Sequence, residues 1–89
     1  MTLWIDTRTP EEFAAGHING SILIPYDAIA LHLEKLPADK STDIRVYCRS
    51  GNRSGVAKQL LDQMGFSQVI NEGGYEDLLR RKAMGQAIP

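Results

Sequence analysis

The chain contains one cysteine, Cys48, and the six residues after it, Arg49-Ser50-Gly51-Asn52-Arg53-Ser54, include no hydrophobic side chain. Cysteine is among the most buried residue types, and a lone one set mid-strand among apolar neighbours would be inert packing. The setting here is different. Ile44–Arg45–Val46–Tyr47 reads as a buried strand, Arg49-Ser50-Gly51-Asn52 as a tight loop, and Arg53 to about Met64 as a helix. Cys48 therefore stands where a strand gives way to a helix. Loop amides from Arg49 to Ser54 can turn inward there as a nest, and the helix dipole adds partial positive charge. Such a cradle favours an anion at its centre, and a thiolate or a persulfide is one. A free thiol titrates near ~8.5, and helix N-termini and neighbouring cations lower that value. The pattern predicts a Cys48 that is substantially ionised at neutral pH and nucleophilic. Such chemistry requires N–H groups that face inward and a sulfur that solvent can reach.

Charge is distributed to suit this. The net charge is only −1, which gives no reason to expect nucleic acid or an acidic membrane surface as a partner. From Ile44 to Leu61, however, there is no acid, while Arg45, Arg49, Arg53 and Lys58 are present. From Glu11 to Asp43 the acids Glu11, Glu12, Asp27, Glu34, Asp39 and Asp43 outnumber Lys35 and Lys40. The basic stretch is local and surrounds the cysteine. One cysteine excludes an intrachain disulfide, and His17 and His32 lack a ligand-spaced partner, so no zinc site is expected. No apolar run approaches the ~20 residues that a membrane helix needs.

The remaining elements position the strand–loop–helix unit. Leu3–Trp4–Ile5 reads as a short strand ending at Asp6. Thr9-Pro10-Glu11-Glu12 has the marks of a helix start: Thr9 as cap, Pro10 at the first helical position, Glu12 completing a capping box. Gly16 and Asn19-Gly20 break that helix. Ser21 to Ile24 is a second strand closed by Pro25, and Asp27 is expected to cap a second helix with Ile29, Leu33 and Leu36 on one face, ended by Pro37. In the Arg53–Met64 helix, Val56, Leu60, Leu61 and Met64 are expected on the buried face. Gln68 to Asn71 is a further strand, Gly73-Gly74 a turn, and Tyr75 to about Lys82 the last helix, with Glu76–Arg80 and Asp77–Arg81 spaced for ion pairs. Strands alternating with helices predict an α/β fold: a small parallel sheet of about four to five strands with helices on both faces. Residues 1–89 make one domain.

Val46-Tyr47-Cys48-Arg49-Ser50-Gly51-Asn52-Arg53-Ser54 resembles the active-site loop of rhodaneses. Ile5-Asp6-Thr7-Arg8-Thr9-Pro10-Glu11-Glu12-Phe13, with Gly16-His17-Ile18-Asn19-Gly20-Ser21-Ile22-Leu23-Ile24-Pro25, is similar to that family's N-terminal signature, and Asn71-Glu72-Gly73-Gly74-Tyr75 to the glycine pair before its last helix. Size and loop look most like the single-domain phage-shock protein E group. The resemblance implies a rhodanese-like fold and a sulfurtransferase acting without a cofactor. Cys48 would accept a sulfane sulfur, and Arg49, Ser50, Gly51, Asn52, Arg53 and Ser54 would cradle an anionic donor such as thiosulfate, with cyanide or a thiol as acceptor. A monomer is expected.

Related phosphatases of the cell-division-cycle type and arsenate reductases place one residue more between cysteine and arginine, making a wider ring suited to phosphate. A persulfide carrier with little turnover of its own would share the fold. So would a non-catalytic interaction module, against which an intact Cys48 and its cationic loop speak. Asp6 and Arg8 are expected to be structural, Asp6 bonding backbone amides and Arg8 pairing with a carboxylate such as Glu72. His17 is expected to fix a turn, His32 to lie partly exposed, Trp4 and Tyr47 to sit in the core, Tyr75 to pack, and Lys58 to be solvated. Ser21 stands where alanine is commoner in the family. No signal peptide is visible, which fits a cytoplasmic protein, or a periplasmic one whose leader was removed.

Overall fold

A computed structural model describes every residue from Met1 to Pro89. Strand β1 (Thr2–Asp6) pairs in parallel with β2 (Ile22–Leu23) on one side and with β3 (Asp43–Cys48) on the other; β3 in turn pairs with β4 (Val69–Gly74). The order is β2-β1-β3-β4. This is the expected small parallel sheet, with four strands. Cys48 is thus the last residue of an inner strand.

Side chains alternate across β3, and this alternation sorts the core. Ile44 and Val46 face α2 (Asn52–Gln63), where they pack with Ile5, Ile24, Ile29, Ala57, Leu61, Phe66 and Val69. Tyr47 faces the other way, with Trp4, Ile18 and Leu78 of α3 (Tyr75–Ala83). Both faces are covered, as expected. Cys48 continues the Ile44–Val46 series, so its side chain turns toward the start of α2.

Helix α1 (Pro10–Ala15) begins as the sequence predicts: Thr9 accepts from the Glu12 amide and Glu12 accepts from the Thr9 amide. The second predicted helix does not form. Its place is taken by two single 3₁₀ turns, Ile29–Leu31 and Leu33–Lys35, and Asp27 caps neither. Ile29 is buried and Leu36 packs on the same core, but Leu33 is 54% exposed. Without a capping side chain the segment breaks at His32, and 3₁₀ turns span more distance per residue than an α-helix. The second strand is also shorter than Ser21–Ile24.

Other local expectations fail for physical reasons. Val56 is 51% exposed, because α2 turns Ser54, Ala57 and Leu61 inward instead. Ala57 and Leu61 fill the core on that face, and Ser54 on the same face lies against Cys48. Gly73-Gly74 is not a free turn but the end of β4, where the pairing shifts so that Asn71 opposes Val46 and Gly73 opposes Tyr47. That bulge leaves Glu72 unpaired in the ladder and aims its carboxylate at Arg45 (2.7 Å) and Arg81 (3.0 Å). Arg81 is therefore not paired with Asp77, which binds Arg80, and Glu76 pairs with neither.

Arg8 likewise does not meet Glu72. Its guanidinium grips Asp6 at 2.6 Å and the Gly16 carbonyl at 2.7 Å, and lies 4.5 Å from the Tyr75 ring centre. Asp6 also accepts from the Arg8 amide, so the pair is structural, as expected. Ser21 and Tyr47 form a second buried tie. The Tyr47 hydroxyl accepts from the Ile18 amide at 3.0 Å and lies 2.9 Å from Ser21 Oγ, which donates to the Ile18 carbonyl. Burial, the main cause, pushes the Tyr47 hydroxyl up to about 12. Tyr47→Phe leaves the Ile18 amide without an acceptor, and urea unfolding is expected to show a loss of about 1–3 kcal/mol. A change below about 0.5 kcal/mol would mean that the amide finds another partner.

Candidate active site

The loop between β3 and α2 folds back on the sulfur. Gly51 takes a left-handed conformation (φ +97°), which only glycine adopts without strain, and its amide donates to Cys48 Sγ at 3.0 Å. Ser54, in the first turn of α2, has its hydroxyl 3.4 Å from the sulfur and 2.7 Å from Asn71 Oδ1. A hydroxyl has one proton, and the shorter contact takes the larger share of it. The Gly51 amide is therefore the shorter and undivided donor to the sulfur, and Ser54 shares its proton between Asn71 and Cys48. Burial acts on the thiol most strongly and raises its pKa. The Ser54 side chain and the amides of Ser54, Ser50 and Gly51 together outweigh burial and leave Cys48 below the ordinary thiol value.

Asn71 has a role that its neighbours in the chain do not announce. Besides accepting from Ser54, its carbonyl oxygen accepts from the Gly73 amide at 3.0 Å, while its amide nitrogen donates to the Gly51 carbonyl at 2.9 Å. It thus binds the active loop to the end of β4. Gly74, expected as a turn residue, stands beside Cys48 in the sheet register, and a Cβ there would collide with the Arg49 carbonyl.

The six predicted cradle residues divide by role. Ser50, Gly51 and Ser54 converge on the sulfur. Arg53 lies close enough for a thiolate to favour its charge, though the larger influence on its guanidinium is Glu12. Arg53 holds Glu12 through two bonds of 2.8 and 3.0 Å. Arg49 points outward, exposed, and Asn52 opens α2 without a side-chain bond to the sulfur. Cys48 itself is fully buried, against the expectation of a sulfur that solvent reaches. A donor gains access only when side chains around the loop move.

Glu12 caps α1, as expected, and it also fastens that helix to the active loop. Hydrogen bonds from Arg53, then from Thr9, hold its carboxyl down to about 2. A carboxyl so depressed contributes its stability in full above the ordinary carboxylate range, ~4.3, and loses it only as pH falls through about 2. The pair is closed at any working pH. Glu12→Gln keeps the cap oxygen but removes the charge that holds Arg53. Alkylation of Cys48 by iodoacetamide is expected to accelerate several-fold in this variant, followed by intact mass. An unchanged rate would show that the Glu12–Arg53 pair does not control access.

The larger surface hollow, about 510 Å³, lies at the opposite end of the sheet among Met1, Leu3, Leu36, Pro37, Asp43 and Gln68. It holds no nucleophile, and in parallel sheets ligands bind beyond the carboxyl ends of the strands. Position, not volume, selects the reactive end.

The family model described as the rhodanese-like domain matches residues 1–81. The chain belongs to the rhodanese family. It is 38% identical over 82 residues to the thiosulfate sulfurtransferase PspE of Escherichia coli strain K12, spanning 92% of this chain and 79% of that protein. It is 39% identical over 72 residues to a sulfurtransferase of Allochromatium vinosum, spanning 81% of this chain and 65% of that one. Among solved structures, a rhodanese with anions from E. coli superposes with a TM-score of 0.82 at 35% identity, over 100% of this chain and 95% of that one. At the level of the family, this rhodanese domain is a sulfurtransferase.

Proposed function

We propose that the chain is a thiosulfate sulfurtransferase working by double displacement at Cys48. The observation that carries this is the Gly51 amide directed at Cys48 Sγ, with the Ser50 and Ser54 amides and the Ser54 hydroxyl acting on the same sulfur. Such a ring stabilises a thiolate before reaction and a persulfide after it, with little reorganisation between them. In the first step the Cys48 thiolate attacks the outer sulfur of thiosulfate. The sulfur–sulfur bond of thiosulfate breaks, its electron pair leaves with sulfite, and Cys48 holds a persulfide. In the second, cyanide or a thiolate attacks the outer sulfur and the electron pair of the broken bond returns to Cys48. Arg49 and Arg53 attract the anionic donor, and the amides from Ser50 to Ser54 bind its charge. The name of the E. coli relative supports thiosulfate as the donor.

Incubation with thiosulfate is expected to add one sulfur, roughly 32 Da, to the intact protein, and cyanide then to remove it with steady turnover. Uptake follows the thiolate, so its rate should rise with pH and reach half-maximum below ~8.5. A half-maximum at or above that value would contradict the cradle. Sulfur uptake without turnover would make the chain a persulfide carrier; hydrolysis of an aryl phosphate without sulfur uptake would make it a phosphatase.

A further inference from the structure

Two charged side chains beside the active loop have no partner within the molecule. A hollow of about 350 Å³ is lined by Arg8, Glu12, Arg49, Tyr75 and Glu76. Arg8 is engaged by Asp6, and Glu12 by Arg53. Arg49 and Glu76 are exposed and enter no ion pair, although they carry opposite charges and line one space. Its place is informative: Arg49 follows Cys48 directly, and Tyr75-Glu76 follow Gly74, the sheet partner of Cys48. The hollow therefore opens at the carboxyl ends of β3 and β4, where the persulfide forms under the proposed reaction. Its volume lies in the range of about 300–1,000 Å³ usual for small-molecule sites.

We propose that this hollow is the acceptor subsite and that it selects thiols bearing both a carboxylate and an ammonium group, as an α-amino-acid thiol does. This rests on the sulfurtransferase reading. Arg49 takes the carboxylate and Glu76 the ammonium, while Tyr75, fixed beneath Arg8, forms a wall. A doubly negative donor gains from Arg49 and is opposed by Glu76; a zwitterion satisfies both. The acceptor thiolate attacks the outer sulfur, a new sulfur–sulfur bond forms on the acceptor, and the electron pair of the broken bond returns to Cys48 as thiolate. Charge and atoms balance without any added oxidant or reductant.

The test loads the full chain with inorganic polysulfide and follows loss of the extra sulfur by intact mass. Cysteine, cysteamine, 3-mercaptopropionate and 2-mercaptoethanol are compared at equal thiolate concentration. An exposed charge pair shifts such a rate about two- to fivefold, so cysteine should exceed each singly charged thiol by that factor. Glu76→Lys should lower the rate with cysteamine and raise that with 3-mercaptopropionate, both relative to 2-mercaptoethanol. Equal rates for the four thiols, or an order that Glu76→Lys leaves untouched, overturn the proposal. A protein that loads from polysulfide but not from thiosulfate overturns the donor assignment alone, and the acceptor comparison still decides the subsite. Failure to load from either overturns both.

Discussion

Cys48→Ser is expected to take up no sulfur from thiosulfate, with no mass gain over hours and no turnover with cyanide. A serine hydroxyl stays protonated at neutral pH and forms no persulfide, so the loss is total rather than graded. The substitution should leave the fold in place. Serine is close to cysteine in size, and its oxygen can accept from the Gly51 amide that now serves the sulfur. Urea unfolding should move by less than about 1.5 kcal/mol. Residual sulfur on the variant would place the persulfide elsewhere, yet the chain has no second cysteine to hold it. The variant thus separates the chemistry from the scaffold.

Gly74→Ala is expected to damage the site from outside it. The backbone of Gly74 is ordinary extended strand, φ −97° and ψ 146°, so alanine is not opposed by conformation. The obstacle is space. The new methyl would overlap the Arg49 carbonyl oxygen and lie 3.2 Å from its carbonyl carbon, both backbone atoms that cannot swing aside. The strand end or the loop must shift. Overpacking of this kind costs about 1–3 kcal/mol of stability. Because Arg49 begins the loop that aims N–H groups at the sulfur, sulfur uptake should fall by about 10²-fold, as ångström misplacements do. The Cys48 pKa should rise with it, readable from thiolate absorbance. Normal uptake in a destabilised Gly74→Ala would show that the loop adapts without losing its aim.

What the sequence reveals of this site is local in the chain. Cys48, the Gly51 turn, the start of α2 and the capping box of α1 each depend on neighbours a few residues away, and periodicity with turn chemistry reports those. The ties that hold the loop in position join distant residues: Arg53 meets Glu12 across 41 positions, and Asn71 reaches Gly51 across 20. No spacing announces such contacts. The same distinction explains the elements that differ from expectation. Ile29, Leu33 and Leu36 have helical spacing, but their segment has no cap and must bridge two strands, which favours separate turns. Val56 is the most apolar residue of the first turns of α2, yet Ala57 and Leu61 fill the core from a different side of the helix and leave Val56 exposed. Arg8 pairs with Asp6 rather than Glu72, because a carboxylate two residues away can hold the guanidinium while still binding the backbone amide.

The hydrogen-bonded ladder between β3 and β4 runs as far as Cys48 and Gly74, with β1 bonded along the other flank. The reactive group therefore rides on the sheet's interior rather than on a detachable flap. Warming should leave no interval in which the domain stays folded but its chemistry is lost. Inactivation and melting ought to trace the same curve.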